Sequence, residues 1–246
     1  MAVTKQETSV EHQGSTGKLE RQGFPIASLI LGTLSSIGIL TAIWMIFLYA
    51  PLDAVEGPPQ RIFYFHVPIA WVGMLSFCIL AVAGIIYIIT KDERWDWLAR
   101  ASAEIGLVFI TFVLITGSIW GRTTWGTWWT WDPKLTASLI LWFMYVGYIM
   151  LRSYMGRATS SAYAGAVLAI VGVVDVPIIY LSVQWWRGLH PSAEVGVPQS
   201  ALPPSVVLTL MVSLVSFTLL YSFLMVQVYQ LQRLQALAQR LRAIVE

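Results

Sequence analysis

Val67-Pro-Ile-Ala-Trp-Val-Gly-Met-Leu-Ser-Phe-Cys-Ile-Leu-Ala-Val-Ala-Gly-Ile-Ile-Tyr-Ile-Ile-Thr90 is a run of 24 residues without one charged side chain. A helix rising about 1.5 Å per residue over that length covers the roughly 30 Å hydrocarbon core of a bilayer. Five further runs of the same character surround it: Ile26 to Tyr49, Ala103 to Trp120, Leu135 to Leu151, Ser161 to Val183 and Ser205 to Tyr229. Each approaches the ~20 apolar residues that a membrane helix requires. Hydrophobic residues make up 57% of the 246, charged residues 11%, and the mean hydropathy is +0.69, outside the soluble globular range. The chain therefore reads as an all-α integral membrane protein, a six-transmembrane helix bundle. The first run is not read as a cleavable signal, being too long, without an A-x-A site, and preceded by a polar segment of about 25 residues.

Six spans put both termini on one side, with the loops after spans two and four. That side holds Lys5, Lys18, Arg21, Lys91, Arg94, Arg100, Arg152, Arg157, Arg233, Arg240 and Arg242, and the other only Arg61, Arg122, Lys134 and Arg187. Basic residues favour the cytoplasm, so this asymmetry predicts a multi-pass protein with both termini cytoplasmic and its odd-numbered loops facing outside, toward a periplasm or its equivalent. A formal net charge of +2 gives no basis for nucleic-acid binding. The lone Cys78 lies within span two, which excludes a disulfide framework, a C-x-x-C redox pair and a C-x-x-C-H haem attachment site. No G-x-x-x-x-G-K-[ST] phosphate loop is present, and no enzymatic activity is expected. Residues 1–24 are polar and read as a disordered cytoplasmic segment, 25–229 as the six-span domain, and 230–246 as an amphipathic cytoplasmic helix continuing span six. In that tail Leu231, Leu234, Leu237 and Leu241 alternate with Arg233, Arg240 and Arg242. A partner contact, a lipid contact and a solvated extension all fit the pattern.

Between spans three and four stands Trp120-Gly-Arg-Thr-Thr-Trp125-Gly-Thr-Trp128-Trp129-Thr-Trp131-Asp132, five tryptophans and a carboxylate. Read as an outer-face loop, it makes a flat aromatic platform suited to a large planar apolar ligand or a crowded protein contact. Trp44, Trp71, Trp185 and Trp186 fall toward the same side, whereas only Trp95 and Trp97 mark the other, which is too lopsided for a generic interfacial belt. His66, in Arg61-Ile-Phe-Tyr-Phe-His66-Val-Pro68 ahead of span two, and His190, in Trp185-Trp186-Arg187-Gly-Leu-His190-Pro191 after span five, share that side. Two neutral imidazoles approaching a porphyrin from opposite faces make a six-coordinate iron site; either one alone is more often just a polar residue at headgroup level, and it is the pairing that points to a ligand. Asp132 followed by Pro133 predicts the N-cap and first residue of span four. Arg61, Arg122 and Arg187 suit carboxylates such as haem propionates, or lipid phosphates by snorkelling. Asp175, two residues before Pro177 inside span five, marks either an ion or proton path or a hydrogen-bonded carboxyl at a proline kink, and the second is preferred.

The W-G-T-W-W-T-W-D string, with an outer histidine before span two and another after span five in W-W-x-x-L-H-P, resembles the tryptophan-rich haem-handling family of CcmC, CcmF and CcsA. Its six spans and the position of both histidines are similar to the CcmC branch, cytochrome c maturation protein C or haem exporter protein C, over residues 25–230. CcmF and CcsA have more spans and act as haem lyases, a role for which this chain is short. The resemblance implies a protein that binds haem b transiently as cargo at the periplasmic face and delivers it to the haem chaperone CcmE. It also implies a place in the bacterial inner (plasma) membrane and work beside CcmD and the ATP-binding-cassette subunits CcmA and CcmB. Carried onto this chain, His66 and His190 become the axial ligands, and Trp120, Trp125, Trp128, Trp129, Trp131 and Asp132 the platform and its cap. The competing class is a permease exporting haem or another aromatic solute, for which Asp175 with Pro177 is the midplane feature.

Overall fold

The computed structural model describes residues 26–156, 158–186, 188–190 and 202–245. Seven α-helices run as α1 (Ile26–Trp44), α2 (Phe63–Thr90), α3 (Glu93–Trp125), α4 (Pro133–Met155), α5 (Thr159–Gly172), α6 (Asp175–Trp185) and α7 (Pro204–Val245). A π-helical turn, Met45–Tyr49, extends α1, and a 3₁₀ segment, Pro58–Ile62, leads into α2. Together they supply six stretches long and apolar enough to span a membrane, with α5 and α6 forming one. The six-span bundle read from the sequence is the fold observed. The segment 1–24 lies outside the described residues.

The core lies along α2 and α3, with α4, α5 and α7 packed around them. Phe77 meets Tyr145 edge to face at 4.8 Å, and the Tyr145 hydroxyl donates to the Gly73 carbonyl at 2.8 Å. Gly106 makes this possible, because a Cβ there would sit 2.2 Å from the Tyr145 oxygen. Ser102 joins the helices further by donating to Ser76 O at 2.7 Å and pairing with the Tyr221 hydroxyl at 2.8 Å. Small residues at crossings and side-chain hydrogen bonds are the usual means of holding helices together where lipid removes the hydrophobic drive. The peripheral α1 uses the same device against α7. It buries Ser28, Ser35 and Ala42, sets Gly38 against Ser216 and Gly32 against Phe223, and pairs Ser28 with Gln227.

Span five breaks at Val173–Val174, between α5 and α6. Pro177 has no N–H to give the Val173 carbonyl, which instead accepts from Val176 N at 3.1 Å. The expected kink is therefore present. Asp175 begins α6 and is buried, but its Oδ2 has no hydrogen-bond partner, so the expected internal satisfaction is not met at that oxygen.

One end of the bundle closes its charges on themselves. Arg152, 3% exposed, lies with Nη2 2.6 Å from the Asp96 carboxylate, which also receives Arg100 Nε at 3.4 Å; Arg100 reaches on to Gly156 O at 2.9 Å. Gln232 donates to Glu104 at 2.6 Å and Arg240 pairs with Glu93, so the tail of α7 packs on the start of α3. That tail is an uninterrupted continuation of span six, and Leu231, Leu234, Leu237 and Leu241 are exposed on it together with Arg233, Arg240 and Arg242, whereas Gln232 and Ala236 are buried. Apart from Trp95 and Trp97 here and Trp142 within α4, the tryptophans gather at the other end.

Candidate functional site

His66 is the fourth residue of α2 and not, as the sequence reading had it, in a loop ahead of the span. Pro58 and Pro59 pre-set a 3₁₀ turn, and Phe63, Tyr64 and Phe65 carry the apolar pattern back so that the helix starts early. Opposite His66, one face of α3 presents Thr116, Gly117 and Trp120. His66 Nδ1 lies 2.8 Å from Thr116 Oγ1, and a Cβ on Gly117 would come within 3.1 Å of His66 Cε1, so the ring lies against bare backbone. Trp120 stands edge-on to His66, centroids 5.8 Å apart at 70°. Its indole N–H donates to Glu56 Oε2 at 3.0 Å, and Phe63 meets its ring at 6.1 Å. Glu56 is presented by a turn in which Asp53 Oδ1 accepts from Val55 N and Glu56 N, both at 2.8 Å. Those two N–H groups hold the Asp53 carboxyl below the usual carboxylate range.

The tryptophan segment is helical for nearly half its length, correcting its reading as a loop of thirteen residues. Thr123 and Thr124 each donate to the Trp120 carbonyl at 2.8 Å, and α3 continues to Trp125 before Gly126, at φ +76°, ends it. Trp120 and Trp125 are therefore on α3, and Trp128, Trp129 and Trp131 lie in the connection. Arg122 donates to the Gly126 carbonyl at this helix end.

Asp132 caps α4 as expected, its Oδ1 accepting from Lys134 N at 3.0 Å with Pro133 at the first position. Its Oδ2 accepts from Leu189 N at 2.7 Å, which ties the connection after span five to the start of span four. Gly188 permits the approach, since a Cβ there would lie 1.9 Å from Asp132 Oδ2. His190 follows, Nδ1 3.9 Å from Asp132 Oδ1 and without a hydrogen bond, and its ring meets Trp125 edge-on at 5.0 Å. Burial, with the charge of Lys134 adding and Asp132 opposing, pushes the His190 imidazole down to about 4, so it is neutral at physiological pH. His66, His190 and Lys134 lie within electrostatic reach of one another.

Thr130, Trp131, Asp132, Pro133, Gly188 and Leu189 line an open groove of about 470 Å³. Trp128 is 60% and Trp131 75% exposed, and Trp129 crosses Trp131 at 84°, so these rings form a ragged wall and not the flat platform expected. Trp185 and Trp186 stand exposed close by in sequence to His190. Arg61 stacks over Phe47 at 5.1 Å, its Nε buried without a partner. Arg187 lies outside the described residues. The structure thus joins His66 to Trp120 and joins Trp125, Asp132 and His190. Sequence reasoning missed Glu56, Thr116, Gly117 and Gly188. Thr116 and Trp120 are separated by one helical turn, which is a legible signal once α3 is known to reach Trp125.

A family profile described as heme exporter protein C matches residues 21–244. Among curated relatives, the heme exporter protein C of Bradyrhizobium diazoefficiens is 39% identical over 173 residues, 70% of this chain and 66% of its own length. That of Haemophilus influenzae is 34% identical over 220 residues, covering 88% and 87%. A putative cytochrome c biosynthesis ccmC-like mitochondrial protein of Marchantia polymorpha is 32% identical over 197 residues, covering 79% and 82%.

Proposed function

Because the chain belongs to the heme exporter protein C family, we propose that it handles haem for cytochrome c maturation, holding it at the tryptophan end of the bundle between His66 and His190. The observation that carries this reading is that two imidazoles from distant parts of the chain lie at one end, within electrostatic reach of each other and each against a tryptophan ring. The residues fit a haem. His190 is neutral at physiological pH and its Nδ1 is an orphan, while His66 engages only Nδ1 and keeps Nε2 for another partner. The groove beside Asp132 falls in the 300–1,000 Å³ range of small-molecule sites.

In this reading His66 and His190 bind the iron. Trp125, Trp128, Trp129 and Trp131 cover the ring, Trp120 buttresses His66, and Asp132 fixes the His190 connection. Arg61, with an unspent Nε, would meet a propionate, and Arg122 and Arg187 are the further candidates. The cargo is haem b, the site faces the periplasm, and the recipient is CcmE, with CcmD, CcmA and CcmB as associates. The chain performs no catalysis. A permease is the second reading, favoured by the buried, unpartnered Oδ2 of Asp175 at the break in span five.

The test is the absorption spectrum of the purified full chain and of His66→Ala and His190→Ala. Loss of the bis-imidazole spectrum in each variant is expected; unchanged haem content and ligation in both would sink the ligand assignment. Reconstitution with CcmE, CcmD and added haem, omitting CcmA and CcmB, is expected to load CcmE. A strict requirement for the ATPase would favour transport.

A further inference from the structure

We infer that the two histidines are unequal ligands: Thr116 fixes the tautomer of His66 so that it is ready for iron before haem arrives, whereas His190 is completed only on binding and is the first to let go. This rests on the ligand assignment above and deepens it.

A neutral imidazole carries its hydrogen on one nitrogen and binds iron through the other. Thr116 Oγ1 lies 2.8 Å from His66 Nδ1 and 2.7 Å from the Phe112 carbonyl oxygen one turn back on α3. The hydroxyl has one hydrogen and the carbonyl has none, so both contacts are satisfied together only when Thr116 donates to Phe112 and accepts from His66 Nδ1–H. That places the hydrogen on Nδ1 and leaves the lone pair on Nε2. Gly117 on one side and the Trp120 edge on another hold the ring plane, and Trp120 is itself held by Glu56 and Phe63. A ligating histidine whose other nitrogen is anchored in this way is the common arrangement at metal sites.

His190 shares only the tryptophan edge, from Trp125 at 5.0 Å. It stands on a connection, five residues after the last residue of α6, and its buried Nδ1 has no partner among the described residues. Asp132 Oδ1 lies at 3.9 Å, beyond hydrogen-bond range, and that carboxylate is already accepting from Lys134 N and Leu189 N. A movement of about 1 Å would close the gap and place the hydrogen on Nδ1. Until then no contact selects a tautomer. Ligation by His190 therefore requires an adjustment that His66 has already made, and its loss opens the haem toward a recipient while His66 still holds.

The first test needs no haem. In the haem-free full chain with ¹⁵N-labelled histidine, assigned with His66→Gln and His190→Gln, the nitrogen shifts of His66 should show one tautomer protonated at Nδ1, and those of His190 a mixture. Thr116→Val should return His66 to a mixture, and Thr116→Ser should keep the single form. An Nε2–H tautomer at His66 in the parent, or no change in Thr116→Val, would overturn the inference. With haem, Thr116→Val should lower affinity by about 10- to 100-fold, with Thr116→Ser restoring most of it. His190→Ala should retain more haem, as a one-histidine species, than His66→Ala; the reverse order overturns the inequality. If instead both alanine variants keep the parent's ligation, the ligand assignment falls while the tautomer result stands apart.

Discussion

The two ends of the bundle both bury polar groups, but they use them differently. At the α3 start, Asp96 is shared between Arg152 and Arg100, and Arg240 and Gln232 find Glu93 and Glu104. Arg152 keeps Nε and Nη1 without partners, yet the void beside Asp96, Tyr148 and Tyr87 has no room for a water molecule. At the other end the carboxylates of Glu56 and Asp132 bond to an indole and to backbone N–H groups, fixing loops and rings in place. Beside them lie an open groove and tryptophans in excess of what packing consumes. Unsatisfied donors alone do not make a site. Space next to uncommitted groups does.

The comparison breaks most visibly if Asp96→Ala affects ligand binding. Removing one partner of a buried ion pair is expected to cost about 3 kcal/mol of stability, read from thermal unfolding in detergent, while the haem spectrum of the folded fraction stays that of the parent. A spectral change at unaltered stability would mean that the two ends are coupled. At the tryptophan end the pattern should invert. Trp131→Ala or Trp128→Ala should weaken haem retention by about 2 kcal/mol, with Phe milder than Ala, since these rings bury their area only against a ligand. Their effect on unfolding of the haem-free chain should stay within about 0.5 kcal/mol. The third effect is confined to acid, and near neutral pH it vanishes. The folded chain holds the His190 imidazole at about 4 against an ordinary 6.5, so its folded form binds fewer protons than its unfolded form between those values. The site therefore costs no stability above about pH 6.5 and progressively destabilises the chain as pH falls toward 4. Nitrogen shifts of His190 should report the midpoint, and His190→Gln should flatten that part of the stability curve.

Spans were legible because lipid demands length and apolarity, and those are written residue by residue in the chain. The N-cap at Asp132 was legible for the same local reason. Helix ends were less so: α3 overruns its apolar stretch to Trp125, where Thr123 and Thr124 turn their hydroxyls back to the Trp120 carbonyl and Arg122 reaches the Gly126 carbonyl beyond the end, contacts that composition does not display. His66 moved from loop to helix through the proline-led turn before it. The second bond of Asp132, to Leu189 N, the seat of His66 on Gly117, and the role of Thr116 are contacts between distant segments, and no window of sequence contains both partners. The family resemblance identified the histidines and tryptophans as a group; only packing divides them into a His66–Trp120 half and a His190–Trp125 half.

The seam between α1 and α7 has a consequence for how the protein is made. Ser28 and Gln227 are 199 residues apart, and the serines and glycines that α1 offers have their counterparts, Ser216 and Phe223, in the last span. A ribosome delivers α1 to the bilayer first and must translate nearly the whole chain before its neighbour exists. During that interval the exposed rim of Leu29, Leu34, Ile37 and Leu40 is at home in lipid, so the newborn helix can wait without cost on that side. Its small-residue stripe cannot be closed by any earlier span, which makes completion of the bundle a post-insertion event and leaves chains truncated before Ser216 with an orphaned first helix.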